Sequence, residues 1–182
     1  MNIELESMAI EMPDVEGHPN RKSFRGVLTL IDVASDKPPA GARGHRVLLT
    51  RAAAEAALPS LLGMALDYAP SLDRHDVRRK VGVITRADIV RRQLELSGYL
   101  FAKDFPEIVS EIEANGSARR SSPASQLLGM SYEIADARVA DVRASVWALV
   151  SVTFTGAAVL RREKAAYRNT WIELEPNVTR TA

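Results

Sequence analysis

The sequence predicts an α+β fold, with an antiparallel barrel or sandwich of strands and helices packed outside it. Two observations lead to this prediction. About six to eight segments have the short apolar or alternating pattern of strands, whereas only two or three have the pattern of helices. The strand segments are also not regularly interleaved with the helical ones, which argues against a doubly wound parallel sheet.

Length and composition are those of a globular domain. The chain has 182 residues, of which 46% are hydrophobic, and domains commonly have roughly 100–200 residues. We therefore expect a single domain over residues 1–182, with flexible ends at residues 1–22 and 175–182.

Charge and residue content exclude several classes of protein. The net charge of +1 gives no strong field for a nucleic acid or a membrane surface. The absence of cysteine excludes disulfides, thiolate metal sites and a cysteine nucleophile. The N-terminus lacks the basic start and apolar run of a secretory signal, and residues 146–160 are too short and too rich in Ser and Thr to span a bilayer. We expect a soluble protein with no membrane partner.

Eight segments have strand character. They are residues 2–12 (as an edge strand), 23–33, 46–49, 81–89, 93–102, 127–134, 146–155 and 171–174. The alternation is clearest in residues 93–102, where Leu94, Leu96 and Leu100 share one face.

Helices are predicted at residues 51–62 and 105–114, with one or two further turns at residues 161–166. Thr50 is a suitable N-cap for the first helix, and Pro59 should kink or end it. Asn115-Gly116 should end the second helix and lead into a flexible loop at residues 117–125.

Histidine is the first residue type that could carry chemistry. The three histidines are His18, His45 and His75, and none has the ligand spacing of a motif such as HExxH. We therefore expect no metal site and no cofactor. His75 differs from the others because it lies in a polar loop, residues 69–80, directly before a predicted strand. Catalytic residues concentrate in such loops, although an exposed histidine is the commoner explanation of this local sequence.

Ser131 lies in an apolar strand, Leu-Leu-Gly-Met-Ser-Tyr-Glu-Ile, at residues 127–134. Alternation places Ser131 and Glu133 on the same face of this strand. A serine hydroxyl becomes a good nucleophile when a neighbouring base takes its proton, and histidine suits that task near neutral pH. The chain thus contains the parts of a serine-type site, but their spacing does not show that they meet. A serine on a half-buried face is the commoner explanation.

Residues 72–170 as a whole resemble the prohead (capsid maturation) proteases of tailed phages. Three blocks carry the resemblance: DRHDVRRKVGVITRADI at residues 73–89, QLELSGYLFAKDFPEIVSEI at residues 93–112, and LLGMSYEI followed by VWALVSVTFTGAAVLRREKAAYRNT within residues 127–170. Their order and spacing are more specific than any one block. The resemblance implies that Ser131 is the nucleophile and His75 its base. It also implies the herpesvirus-protease-like fold, a small, mostly antiparallel β-barrel flanked by helices.

The third catalytic member is not given by the resemblance. Many prohead proteases have a glutamate where this chain has Ala148, shortly before the VTF sequence. Glu133 is the first candidate for the third member because it shares a face with the serine, and Asp141 is the second. A Ser–His dyad, or Thr153 or Thr155 lying across the hairpin, is a further alternative.

The resemblance also suggests a place for the oxyanion. Assemblin-type enzymes stabilise it near a pair of arginines after a barrel strand, and Arg161-Arg162 has a comparable position. Surface arginines at the start of a helix are at least as good an explanation of this pair.

The implied activity is that of a serine endopeptidase of bacteriophage virion assembly. Its expected substrates are the major capsid protein and the scaffolding protein, with the chain itself as a further substrate, inside the assembling procapsid in the host cytoplasm. A homodimer would fit the herpesvirus analogy. The main alternative is a non-catalytic capsid assembly or scaffolding protein of the same fold. A weaker one is a small barrel that binds nucleic acid through the basic run at residues 78–80.

Overall fold

The computed structural model describes residues 6–13, 15, 17–121 and 127–175. Within these residues the protein is α+β and mostly strand, with 45% of residues in strands and two α-helices. Nine strands form one sheet that curls into a half-barrel. The predicted α+β class with a dominant sheet is therefore confirmed.

The elements follow one another in an irregular order of strands and helices. The strands are β1 (Glu6–Ala9), β2 (Lys22–Leu30), β3 (Arg46–Leu49), β4 (Ala65–Asp67), β5 (Lys80–Val90), β6 (Gln93–Leu100), β7 (Leu128–Val139), β8 (Val146–Arg161) and β9 (Trp171–Leu174). The α-helices are α1 (Arg51–Ala57) and α2 (Pro106–Ser121), and a 3₁₀-helix spans Leu58–Leu61. Neither α-helix, as far as the structure describes the chain, is long and apolar enough to cross a membrane.

Strand β8 pairs with three other strands, β3, β4 and β7. The sheet order is β3-β8-β4-β5-β6-β2-β9, with β1 paired to β5 and β7 paired to β8. The pairings of β8 with β3 and β4 are parallel, and the other pairings of named strands in the described residues are antiparallel. The sheet is thus mostly antiparallel, as expected.

The core follows the predicted alternation. Leu94, Leu96 and Leu100 of β6 are buried and belong to the same hydrophobic core as the large side chains Phe24 and Phe154. Helix α1 presents its buried alanines to β8, and α2 packs near β9. The helices therefore flank the curled sheet.

The start and the end of α1 each confirm a local prediction. The Thr50 hydroxyl caps the helix by accepting a hydrogen bond from the backbone N–H of Ala53 at 3.3 Å. The α-helix ends at Ala57, and Pro59 lies in the 3₁₀ turn that follows. This is the expected effect of proline, which removes a backbone donor and crowds the preceding turn.

The predicted end of the second helix is wrong. Helix α2 continues through Asn115-Gly116 to Ser121, and Gly116 lacks the positive φ of a helix-ending glycine. The buried Asn115 carboxamide oxygen accepts the backbone N–H groups of Leu127 and Leu128 at 2.7 and 3.0 Å. Asn115 therefore fixes the start of β7 instead of ending the helix. Residues 122–125 of the predicted loop lie outside the described residues.

Several strands also differ from the sequence prediction. Strands β7 and β8 continue to Val139 and Arg161, so the predicted helical turns at residues 161–166 are a tight turn after the strand. The short strand β4 was not predicted at all. The predicted edge strand at residues 2–12 is represented by β1, while residues 2–5 lie outside the described residues.

Candidate active site

Three neighbouring strands, β4, β8 and β7, form the floor of the candidate site. Asp67 of β4 and Ser131 of β7 both lie opposite Ala158 of β8. Directly opposed residues of paired strands project to the same face of a sheet. Asp67, Ala158 and Ser131 therefore form one row, on the face opposite the core residues Met130 and Val159.

Glu133 lies on the same face as Ser131, two residues further along β7. The register is regular from Ser131 to Glu133, which lies opposite Gly156 of β8. A Cβ atom on Gly156 would lie 2.8 Å from Glu133 Oε2 and 3.2 Å from the carbonyl oxygen of Ala65. The missing side chain at residue 156 thus provides the space that the Glu133 carboxylate occupies.

The loop that carries His75 is tied to this floor at two points. The backbone N–H of Asp76 donates to Asp67 Oδ1 at 3.0 Å, and the N–H of Arg161 donates to the carbonyl oxygen of Leu72 at 2.7 Å. Leu72 has a φ of 52°, a conformation that bulky residues rarely adopt. These contacts fix the backbone on both sides of His75.

His75 and Glu133 meet through their side chains. His75 Nδ1 lies 3.0 Å from Glu133 Oε1, and the two side chains are 28% and 18% exposed. When the Glu133 carboxylate is ionised it can only accept a hydrogen bond, and in that state the contact requires the proton on Nδ1. The other ring nitrogen, Nε2, is then the basic atom of a neutral imidazole.

Asp67 is the third member of this cluster and is fully buried. Burial raises the pKa of its carboxyl to about 6; the Asp76 N–H lowers the pKa, the neighbouring Glu133 carboxyl raises it, and the charge of His75 lowers it. Asp67 Oδ2 has no hydrogen-bond donor among the described residues, and Lys80 Nζ lies 3.7 Å from it. One ligand atom each from Asp67, His75 and Glu133 lie within 4.8 Å of one another.

Ser131 is half-buried in the row next to Glu133. No hydrogen bond within the described part of the chain joins its hydroxyl to His75. Catalytic hydrogen bonds are often long in enzymes without substrate and tighten when substrate binds. The structure therefore brings Ser131, Glu133 and His75 to one region, without a hydrogen bond between Ser131 and His75.

Asp141 and the two threonines lie elsewhere. Asp141 is in the turn between β7 and β8, where its carboxylate accepts the backbone N–H of Arg143 at 2.9 Å. Its contacts with the described residues do not include His75. Thr153 and Thr155 are exposed on β8. Of the predicted third members, Glu133 is the one whose side chain contacts His75.

The backbone amides of the arginine pair are already engaged. Arg161 N–H donates to Leu72, and Arg162 N–H donates to the carbonyl oxygen of Leu127 at 2.6 Å. The guanidinium of Arg162 also donates a hydrogen bond to the carbonyl oxygen of Arg168. Arg161, in contrast, is exposed at the end of β8. In this conformation an oxyanion could meet the pair only through side chains.

The basic run at residues 78–80 is compensated by carboxylates. Arg78 lies 3.5 Å from Asp76, Arg79 lies 3.4 Å from Glu107, and Lys80 lies 3.7 Å from Asp67. These ion pairs reduce the positive field that a nucleic acid would require.

Sequence reasoning missed Asp67. The sequence does contain a signal for this residue, because Asp67 lies inside the otherwise apolar segment Met64-Ala65-Leu66-Asp67-Tyr68-Ala69. Aspartate is rarely fully buried without a partner, so an aspartate in such a segment points to a polar or charged neighbour. The three-residue strand that carries it is too short to show periodicity.

Comparisons with known proteins do not assign the chain to a family. No protein-family model matches the sequence, and a search of curated proteins finds no match.

Proposed function

We propose that the protein is a serine endopeptidase of the prohead-protease kind, with Ser131 as nucleophile, His75 as general base and Glu133 as the third member. The observation that carries the proposal is the 3.0 Å contact between His75 Nδ1 and Glu133 Oε1, beside Ser131 on one strand face. Serine hydrolases use this order of nucleophile, imidazole and carboxylate on unrelated folds.

The proposed reaction is acyl transfer. The Ser131 hydroxyl attacks the scissile carbonyl carbon while His75 Nε2 takes its proton. Glu133 holds the imidazole with its proton on Nδ1 and stabilises the imidazolium that forms. The imidazolium then protonates the leaving amine, and water releases the acyl group from the serine.

The fold supports the proposal at a coarse level. The resemblance implies a herpesvirus-protease-like barrel, and the chain has a curled, mostly antiparallel half-barrel with helices beside it. Strand β7, which carries Ser131 and Glu133, pairs with the long strand β8, and β8 also pairs with β4, which precedes the loop that carries His75.

The oxyanion would be stabilised by a group other than the amides of residues 161 and 162, because both amides donate elsewhere. The exposed guanidinium of Arg161 is the candidate that the geometry leaves. A single well-placed donor to an oxyanion is worth roughly 3–4 kcal/mol.

The proposed substrates are the major capsid protein and the scaffolding protein, and this chain itself, inside the assembling procapsid of a phage. Their recognition would take place in the host cytoplasm, and a homodimer is proposed by analogy with the herpesvirus enzymes. These statements rest on the resemblance of the three sequence blocks.

The test is labelling by a fluorophosphonate probe, followed by co-expression with the cognate capsid and scaffolding proteins. Ser131→Ala should abolish labelling and processing. Ser151→Ala is the matched control, because Ser151 is an exposed serine of β8 and should leave both unchanged. Wild-type protein that is not labelled, even within procapsids, would contradict the proposal.

A non-catalytic assembly protein of the same fold is the second candidate. The lack of a hydrogen bond between Ser131 and His75 in the described residues favours it. If this second candidate is correct, the Ser131→Ala variant should support capsid assembly as well as the wild type does. Neither form should then process the capsid or scaffolding protein.

A further inference from the structure

The cluster behind Ser131 has the composition of a metal site. It offers one imidazole nitrogen and two carboxylate oxygens, from His75, Glu133 and Asp67, all within 4.8 Å of one another. The three residues come from the loop after β4, from β7 and from β4 itself. The sheet positions Asp67 and Glu133, and the two loop anchors, one of which is accepted by Asp67 itself, position the loop that carries His75.

Asp67 gives a second observation that points to a cation. Its side chain is fully buried, and its Oδ2 has no hydrogen-bond donor in the described residues. A buried carboxylate is costly unless a charge or hydrogen bonds compensate it. The nearest cation is Lys80, at 3.7 Å and with a side chain 39% exposed. With a neutral imidazole and both acids ionised, two carboxylates and one ammonium group leave the cluster with one uncompensated negative charge.

The donor set selects the kind of metal. Imidazole with carboxylates suits zinc and similar transition metals, whereas magnesium and calcium prefer oxygen ligands alone. Zinc binds such atoms at about 2.0–2.2 Å, so tetrahedral ligands lie about 3.4 Å apart. The 3.0 Å between His75 Nδ1 and Glu133 Oε1 needs only a small expansion to admit the ion. Three protein ligands and one open position are common in zinc sites that exchange a ligand.

We propose that Asp67, His75 and Glu133 form a binding site for one divalent transition-metal ion, with zinc preferred, and that the bound ion inactivates the serine site. The binding site stands on its own geometry, while the inactivation rests on the proposed peptidase function. A metal on His75 Nδ1 displaces the proton from that nitrogen. The remaining proton of a neutral imidazole then resides on Nε2, so Nε2 cannot accept the proton of Ser131. The ion also removes Glu133 from its hydrogen bond with the ring.

Binding is tested by calorimetric titration of zinc chloride into metal-free, full-length protein near neutral pH. We expect one ion per chain for the wild type. Asp67→Asn keeps an oxygen for the Asp76 N–H but removes the anionic ligand, and should weaken binding roughly tenfold or more. Asp73→Asn is the matched control, since Asp73 is an exposed acid of the same loop, and should bind as the wild type does. Lys80→Gln should tighten binding because it removes the competing cation.

Thermal unfolding without metal shows whether each variant is folded, and Glu133→Gln replaces Asp67→Asn if the latter is not. Wild-type protein that binds no zinc, or an Asp67→Asn or Glu133→Gln variant that binds it undiminished, overturns the metal site.

The inactivation is tested separately by fluorophosphonate labelling of Ser131 with and without zinc. Zinc should abolish labelling of the wild type, and a chelator should restore it. Labelling that continues in the zinc-saturated protein overturns the inactivation. Zinc binding in a protein that is never labelled leaves the site in place and contradicts the proposed peptidase, so the two failures are distinguishable.

Discussion

Replacing Glu133 with glutamine tests the assignment of the third catalytic member. The change keeps the length of the side chain and removes its charge, at a carboxylate whose Oε1 lies 3.0 Å from His75 Nδ1. The glutamine can also turn its amide toward the ring and favour the wrong tautomer. Asp141→Asn is the matched control because it makes the same charge change in the turn that ends the same hairpin.

The expected loss follows from the hydrogen bond. A hydrogen bond to a charged group is worth about 1.5–3 kcal/mol, and each 1.36 kcal/mol is tenfold in rate. Since the two side chains are only 28% and 18% exposed, solvent replaces little of this interaction. We expect labelling of Ser131 to slow roughly ten- to hundredfold in Glu133→Gln.

The assay is the rate of fluorophosphonate labelling at constant pH, with unfolding by urea as a check that each variant is folded. Asp141→Asn should label at the wild-type rate. A normal rate in Glu133→Gln would refute the assignment of Glu133, and a slow rate in folded Asp141→Asn would point to Asp141 instead.

Three other substitutions test the surroundings of the site and the fold. Gly156→Ala places a methyl group 2.8 Å from Glu133 Oε2; it should slow labelling of Ser131, and a crystal structure with an unmoved carboxylate would contradict this. Asn115→Ala removes the oxygen that accepts the backbone N–H groups of Leu127 and Leu128 at the start of β7. The free energy of unfolding in urea should therefore fall by about 1–3 kcal/mol, and an unchanged value would show that these two hydrogen bonds contribute nothing to stability. Burial raises the pKa of Tyr167 from 10.0 to about 12; its proton is held more tightly in the folded state, so the stability it contributes is complete below pH 10 and is lost as pH rises toward 12. Tyr167→Phe should therefore lose less stability over this window, and parallel curves would exclude the linkage.

Local sequence was sufficient where a single segment determines its own structure. The alternation of residues 93–102 predicted which leucines of β6 are buried, and Thr50 and Pro59 predicted how α1 begins and ends. Asn115-Gly116 led to a wrong prediction of the helix end, because residues that often end helices can also make tertiary contacts. The acceptor role of Asn115 toward the start of β7 depends on residues 12 and 13 positions away.

The candidate site could be predicted from local sequence only in part. Alternation placed Ser131 and Glu133 on one face, which the register of β7 with β8 confirms. The contact of His75 with Glu133 joins residues 58 positions apart, so no local pattern contains it. Asp67 was missed because its strand has three residues and because its neighbours in the site come from β7 and the following loop.

The central position of β8 has a consequence for the order of folding. Strand β4 and the loop after it are positioned by residues 157, 158 and 161, about ninety residues later in the chain. Contacts of such long sequence separation form slowly, because bringing the two distant segments together costs loop-closure entropy. During synthesis, His75 and Asp67 therefore emerge long before the strand that aligns them with Ser131. The nascent chain can complete its site only after Arg161 has left the ribosome, so the site is incomplete while the preceding residues are being synthesised.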